Sequence, residues 1–166
     1  MAVKSLIETV TVGAGGAASI EFTDIPQDGS DLVLMVSGRS DRTFNHDAIR
    51  LEPNSDSSNG SYIKLTGNGS SVSSPVGASL TNFFIPGSPA TANVFGSATV
   101  YISNYTSATA KSLSVDSVAE NNATISDQGI EGGLWNNTAA ITSLRLPALN
   151  NWVQYSTASL YKIKYD

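Results

Sequence analysis

The chain has no cysteine and a single histidine among its 166 residues. Without thiols there is no disulfide staple, no thiolate metal site and no cysteine nucleophile. Charge is scarce as well: Asp, Glu, Lys and Arg make up 14% of the residues, against roughly 25% in a typical soluble domain. The net charge is −5, and the few Lys and Arg residues form no run, which leaves no electrostatic footprint for nucleic-acid phosphates. No stretch approaches the roughly 18 apolar residues that span a bilayer as a helix. Met1-Ala-Val-Lys-Ser5 lacks the apolar segment of a secretory leader. These absences predict a soluble chain without nucleic acid or membrane as partner, held by its core alone.

What is present is alternation. From Lys4 to Tyr165 apolar and polar residues follow one another with period two, the spacing that puts every second side chain on one face of a strand. Ile20 and Phe22 alternate with Ser19, Glu21 and Thr23, and Ala98, Val100 and Ile102 alternate with Thr99, Tyr101 and Ser103. Leu144 and Leu146 repeat the pattern, as do Tyr161, Ile163 and Tyr165. Gly13-Ala-Gly-Gly16 and Pro26-Gln-Asp-Gly29 punctuate the runs as turns. No window carries the three-and-four apolar spacing of a helix; Lys111–Val118 reads as a strand through Leu113 and Val115, although the Ala and Glu content up to Ala123 leaves a short helix open there. The expectation is a single domain over residues 1–166, an all-β, jelly-roll-like β-sandwich of about nine or ten short antiparallel strands.

Local details sharpen the expectation. Residues 32–36, Leu-Val-Leu-Met-Val, are apolar at every position, which predicts a central strand covered on both faces or a subunit contact on its second face. Ile49 and Leu51, then Ile63 and Leu65, flank the polar stretch 53–60 and read as a hairpin with a long loop. Gly132-Gly133 reads as a bulge or tight bend. The apolar knot Phe83-Phe-Ile-Pro86 lies between flexible, polar segments. Its residues Phe83, Phe84, Ile85 and Pro86 are candidates for a protein interface, or for a lid over one end of the sandwich.

Chemistry is thinly represented. His46 beside Asp47 has the makings of a base, but no nucleophile elbow or metal spacing accompanies it. Asp41, Asp47, Glu52 and Asp56 crowd one stretch, as a glycosidase pair would require. Asn54, Asp56, Asn59 and Gly60 loosely resemble a calcium loop without its closing Glu, and an Asx-rich turn accounts for them. The Asn-x-Ser/Thr sequons at Asn59, Asn68, Asn104, Asn122 and Asn136 follow from a surface rich in Ser, Thr and Asn. Tyr62, Tyr105, Trp135 and Trp152 are candidates for stacking on sugar rings if exposed, and for core or subunit packing if not. No catalytic, cofactor-binding or metal-binding residue emerges.

One further pattern spans nearly the whole chain. Ser19-Ile-Glu-Phe-Thr-Asp-Ile-Pro-Gln27 leads into Asp31-Leu-Val-Leu-Met-Val-Ser37, followed by Ser61-Tyr62 and by Phe95-Gly-Ser97 running into Tyr101-Ile-Ser-Asn-Tyr105. Lys111, Ala140-Ile-Thr-Ser-Leu144 and Ala158-Ser-Leu-Tyr-Lys-Ile163 complete it. In their order and spacing these segments resemble the small jelly-roll virion structural proteins, of decoration or tail-fibre type, of tailed bacteriophages and notably cyanophages. Pro53-Asn54 departs from that pattern where an aromatic-Asn pair is expected, and Lys162 departs where a glycine follows Leu-Tyr.

The resemblance implies a non-enzymatic virion protein without cofactors, assembled into particles in the host cytoplasm. The leading expectation is a capsid decoration or cement protein that binds the outer capsid surface and stabilises the shell. Its partner would be the major capsid protein or another virion protein. A homo-oligomer is the default for such a part, here a homotrimer at a local three-fold site. The alternative is a carbohydrate- or receptor-binding module of a phage tail or tail fibre.

Overall fold

The computed structural model describes residues 1–122 and 126–165, and Ala123 therefore lies outside the described residues. Among the described residues there is no helix. In chain order the strands are β1 (Ala2–Thr11), β2 (Ala17–Phe22), β3 (Asp31–Gly38), β4 (His46–Arg50), β5 (Glu52–Pro53), β6 (Gly60–Gly67) and β7 (Val72–Ser73). They continue as β8 (Val76–Gly77), β9 (Asn82–Pro86), β10 (Gly96–Ile102), β11 (Lys111–Glu120), β12 (Ser126–Trp135), β13 (Leu144–Trp152) and β14 (Thr157–Tyr165). The sequence anticipates fewer because β5, β7 and β8 are two-residue ladders, too short to show an alternation.

A large antiparallel sheet runs in the order β1-β14-β3-β10-β11-β12-β6-β7, with β8 also on β6. Against it lie the three strands β2-β13-β5 and the pair β4-β9, with β9 packed on β10 and β11 and β4 beside β13. The chain passes repeatedly between layers, from β1 to β2, back to β3, out to β4 and β5, and back to β6. This is an all-β, jelly-roll-like sandwich. The core forms where the inward residues of both layers meet: Leu34, Val100 and Val115 from the large sheet against Phe22, Ile49, Phe83 and Leu146. Trp135, Trp152 and Tyr105 are fully enclosed in it. The first and last strands, β1 and β14, pair with each other, with a bulge between Leu6 and Glu8.

Two local expectations hold in refined form and two change. Residues 32–36 do lie in a central strand, between β14 and β10, but only Leu32, Leu34 and Val36 are buried. On the outer face Met35 is largely open and is touched at its sulfur by Lys4 Nζ at 3.6 Å. Residues 49 and 51 form no hairpin with 63 and 65, because β4 pairs with β9 while β6 pairs with β12. The stretch 53–60 therefore crosses between layers. Lys111–Glu120 is a strand, as Leu113 and Val115 suggest, and among the described residues no short helix follows it. Finally, β12 runs through Gly132 and Gly133 in unbroken register with β11. Gly133 is needed there for room, since a Cβ on it would fall 1.7 Å from Thr81 Oγ1.

Two buried cations organise the long loops. Arg39 Nη1 donates to the carbonyls of Thr91 (2.7 Å) and Val94 (3.0 Å), and its Nη2 donates to those of Ser88 (3.2 Å) and Ala90 (2.9 Å). One guanidinium fork thus satisfies four carbonyls that no strand partner reaches. Lys111 Nζ does the same for Ser107, Thr109 and Ala139. Burial lowers the pKa of both side chains, and for Arg39 the Glu120 carboxylate opposes that shift.

Candidate functional site

The residues singled out for association or stacking are mostly interior. Phe83, Ile85 and Pro86 are buried in β9, so the apolar knot covers the core and presents no docking loop. Phe84 alone of that group reaches a surface hollow. Trp135 and Trp152 are fully buried, with their indole N–H groups donating to Asp56 Oδ2 and to the Leu146 carbonyl, each at 2.9 Å. Tyr105 is buried too and donates its hydroxyl to the Pro26 carbonyl. The Tyr62 ring lies against Gly77 so closely that a Cβ there would fall 2.5 Å from it. Trp135, Trp152 and Tyr105 are thus core residues, while Tyr62 is half-buried and lines a shallow hollow with Ile63 and Leu134.

The crowded carboxylates are each engaged by different partners. Asp41 accepts from the Asn151 backbone N–H at 2.7 Å, Asp47 is fully buried 3.4 Å from Arg42, and Glu52 accepts from Arg145 at 2.9 Å. Asp56 closes its own loop: its oxygens accept from Ser58 N, Asn59 N, Asn59 Nδ2 and the Trp135 indole. Asn54, at φ 52°, uses its Oδ1 for Thr142 N and Ser143 N. Loop oxygens already engaged this way are an Asx-rich turn, and among the described residues no group of three or more His, Asp or Glu converges on a metal position.

Asp56 also yields a pH prediction. The Asn59 amide, the Ser58 N–H and the Trp135 indole hold its carboxyl well below the usual range. A depressed folded pKa contributes stability that is complete above the unfolded value of about 3.9 and is lost as acid titrates the folded group. The urea midpoint is expected to fall from about pH 5 down to pH 2, and Asp56→Asn should flatten part of that slope while lowering the midpoint at neutral pH.

His46 does not pair with Asp47. Neighbours on a strand face opposite ways, so Asp47 turns inward to Arg42 while His46 Nδ1 meets Asp127 Oδ2 at 3.0 Å, from β4 of one layer to β12 of the other. The His46 ring leans on Phe84 with centroids 4.6 Å apart.

The largest unexpected feature lies on the outer face of β6 and β12. Ile63 (57% exposed), Leu65 (52%) and Ile130 (53%) stand in solvent, joined by Leu134 and by the open Val72 and Val76. Register places Leu65 opposite Ile130 and Ile63 opposite Val76. Beside Leu65 a hollow of about 510 Å³ is lined by Val72, Gln128 and Ile130. The cause is an inverted alternation. Lys64 and Glu131 occupy the inward positions, both buried, with Lys64 Nζ 2.8 Å from Glu131 Oε2. That contact is an ion pair without hydrogen-bond alignment at Oε2. The other oxygen, Oε1, accepts from Asn82 N at 3.0 Å, and Lys64 Nζ donates to Asn82 Oδ1.

The alternation of Ile63 and Leu65 with Tyr62 and Lys64 does not say which side turns inward. Their outward placement was legible only in the pairing of Lys64 with Glu131, whose alternation in β12 has the same inverted phase. Comparison of the chain with protein-family models, with curated proteins and with solved structures finds no match.

Proposed function

We propose that this chain is a non-enzymatic structural protein of a bacteriophage particle, a decoration protein seated on the outer capsid surface by the outer face of β6 and β12. The observation that carries this reading is the exposed cluster Ile63, Leu65 and Ile130 with Val72 and Val76. In a chain with so neutral a surface, a contiguous apolar face marks a protein contact. The order of motifs resembling phage decoration, tail and fibre proteins supports a partner within the particle, and the compact single-domain length without a fibre-like repeat favours the shell.

Docking here takes the place of the apolar knot at residues 83–86, which is spent on the core. Three copies around a local three-fold site would each present this face to the junction between shell subunits. A site complete only in the assembled shell stabilises that shell by mass action.

The test is co-sedimentation of purified protein with assembled shells, together with the temperature at which the shells disrupt. Wild type should bind and raise that temperature. Ile63→Lys with Leu65→Lys should weaken binding by tenfold or more, on the order of 1.4 kcal/mol or more. The melting temperature of the free protein should hardly move, because surface changes of this kind stay within about 0.5 kcal/mol. A wild-type protein that neither binds nor stabilises shells would rule the proposal out.

A further inference from the structure

Two adjoining hollows meet at the His46–Asp127 pair. One, of about 260 Å³, is bounded by Phe84, Thr66, Ser73 and Gln128; the other, of about 490 Å³, by Arg42, Phe44, Asn45 and Asn121. His46, Asn68 and Asp127 line both. We propose that they form one cleft that binds a neutral saccharide, with a subsite on each side of the His46–Asp127 pair.

The chemistry of the walls narrows the ligand. The second subsite has an open aromatic ring, Phe44, 63% exposed; in the first, the half-buried Phe84 forms apolar wall, with His46 packed against it at 4.6 Å between centroids and Lys64 Nζ 4.3 Å from its centroid. An aromatic face takes up the C–H face of a sugar ring. Around the rings stand hydroxyl and amide groups, which donate and accept as a polyhydroxylated ligand requires. Thr66 Oγ1 and Ser73 Oγ bond each other at 2.6 Å, and each keeps further capacity. Asn68 Oδ1 accepts from Ser70 N and Ser71 N, which orients its amide nitrogen.

Charge argues against the other classes. The Asp127 carboxylate already faces His46, and Arg42 is tied to Asp47 at 3.4 Å with its guanidinium 4.7 Å over the Phe44 ring. Among the described residues no uncommitted Lys or Arg is left in the walls to hold a phosphate or a sialic acid. The polar lining does not suit a lipid. The combined size falls in the range of pockets that hold small organic ligands, about 300–1,000 Å³.

The cleft borders the shell-docking face and shares Gln128 and Thr66 with the hollow beside Leu65, but it uses none of the apolar side chains Ile63, Leu65 and Ile130, and Phe44 belongs to the cleft alone, so either reading can fail without the other. The test is a titration of ¹⁵N-labelled protein with maltose, cellobiose and lactose, and with sialyllactose and inorganic phosphate as anionic probes. At least one neutral disaccharide should shift the amide signals of His46, Asn68 and Gln128 to saturation. Phe44→Ala and Gln128→Ala should each weaken that binding about tenfold. Both side chains are exposed, so the thermal melt reports separately that the fold is intact. Tyr155→Ala, an exposed aromatic that lines neither hollow, should change nothing. Failure of all three neutral sugars to give saturable shifts overturns the proposal. So does tighter binding of sialyllactose or phosphate, or binding that survives both cleft substitutions, whatever the protein does with assembled shells.

Discussion

Glu131→Ala is expected to lower the unfolding free energy by about 3–5 kcal/mol, the cost of leaving one member of a buried ion pair without its partner. Lys64 and Glu131 are both almost wholly buried, 2.8 Å apart. Removing the carboxylate strands the ammonium between layers, beside the Phe84 and Tyr62 rings and Asn82 Oδ1, none of which carries a compensating charge. It also orphans the Asn82 N–H. Lys64→Met with Glu131→Leu should be more stable than Glu131→Ala, because an apolar pair of similar volume removes the desolvation cost along with the attraction. It should fall short of wild type by about 1–3 kcal/mol for the unpaired Asn82 N–H. Urea unfolding of the three proteins checks the ordering. A Glu131→Ala protein within 1 kcal/mol of wild type, on the order of a surface substitution, would contradict the account. The double variant bears on function too: the buried pair sets the inverted phase of β6, yet the strand pairing of β6 with β12 should keep Ile63 and Leu65 outward without it.

Arg39→Ala should cost about 3 kcal/mol or more, since four carbonyls lose a charged donor, each such bond being worth about 1.5–3 kcal/mol and the set not additive. Arg39→Lys should recover less than half of that. An ammonium has no planar fork and cannot reach four carbonyls spread over residues 88–94. Hydrogen exchange separates this from a general loss of packing. In both variants the amides of 88–94 should exchange faster, while those of β10 and β3, bonded strand to strand, should slow-exchange as in wild type at matched stability. Neutralising Glu120, which accepts from Thr91 N at 2.9 Å and Thr91 Oγ1 at 2.8 Å, should loosen the same loop to a smaller degree.

How far the sequence carried can be read from single strands. In β3, β10 and β13 the apolar phase is the inward phase, as for Leu34, Val100 and Leu146. Burial of apolar area decides those strands, and nothing competes with it. In β6 the same pattern is inverted: Ile63 and Leu65 are in solvent and Lys64 is inside. A period-two pattern states only that two faces differ, and the face that turns inward depends on what waits there. Glu131 and Asn82 wait there, eighteen and more residues away in sequence. The aromatic candidates fail for a related reason, since Trp135 and Trp152 look alike on a surface or in a core until their N–H partners, Asp56 and the Leu146 carbonyl, are known. Arg39 left no local trace at all. Its four partners lie about fifty residues downstream, in a loop whose only sequence signature is turn chemistry.

Strand content, the two-layer arrangement and the turns at Gly13 to Gly16 follow from alternation and local backbone preference, both properties of neighbouring residues. Gly16, at φ 70° and with its N–H bonded to the Gly13 carbonyl at 3.0 Å, shows such a preference realised. Which strands pair, which phase of β6 and β12 turns inward and which residues surround His46 depend on contacts between distant segments. Only the folded chain brings Asp127 to His46, or Glu131 to Lys64, and so leaves an apolar face and a polar cleft at the surface. Charge and hydrogen-bond partners are chosen by position in space, and that position is set by the packing of two sheets.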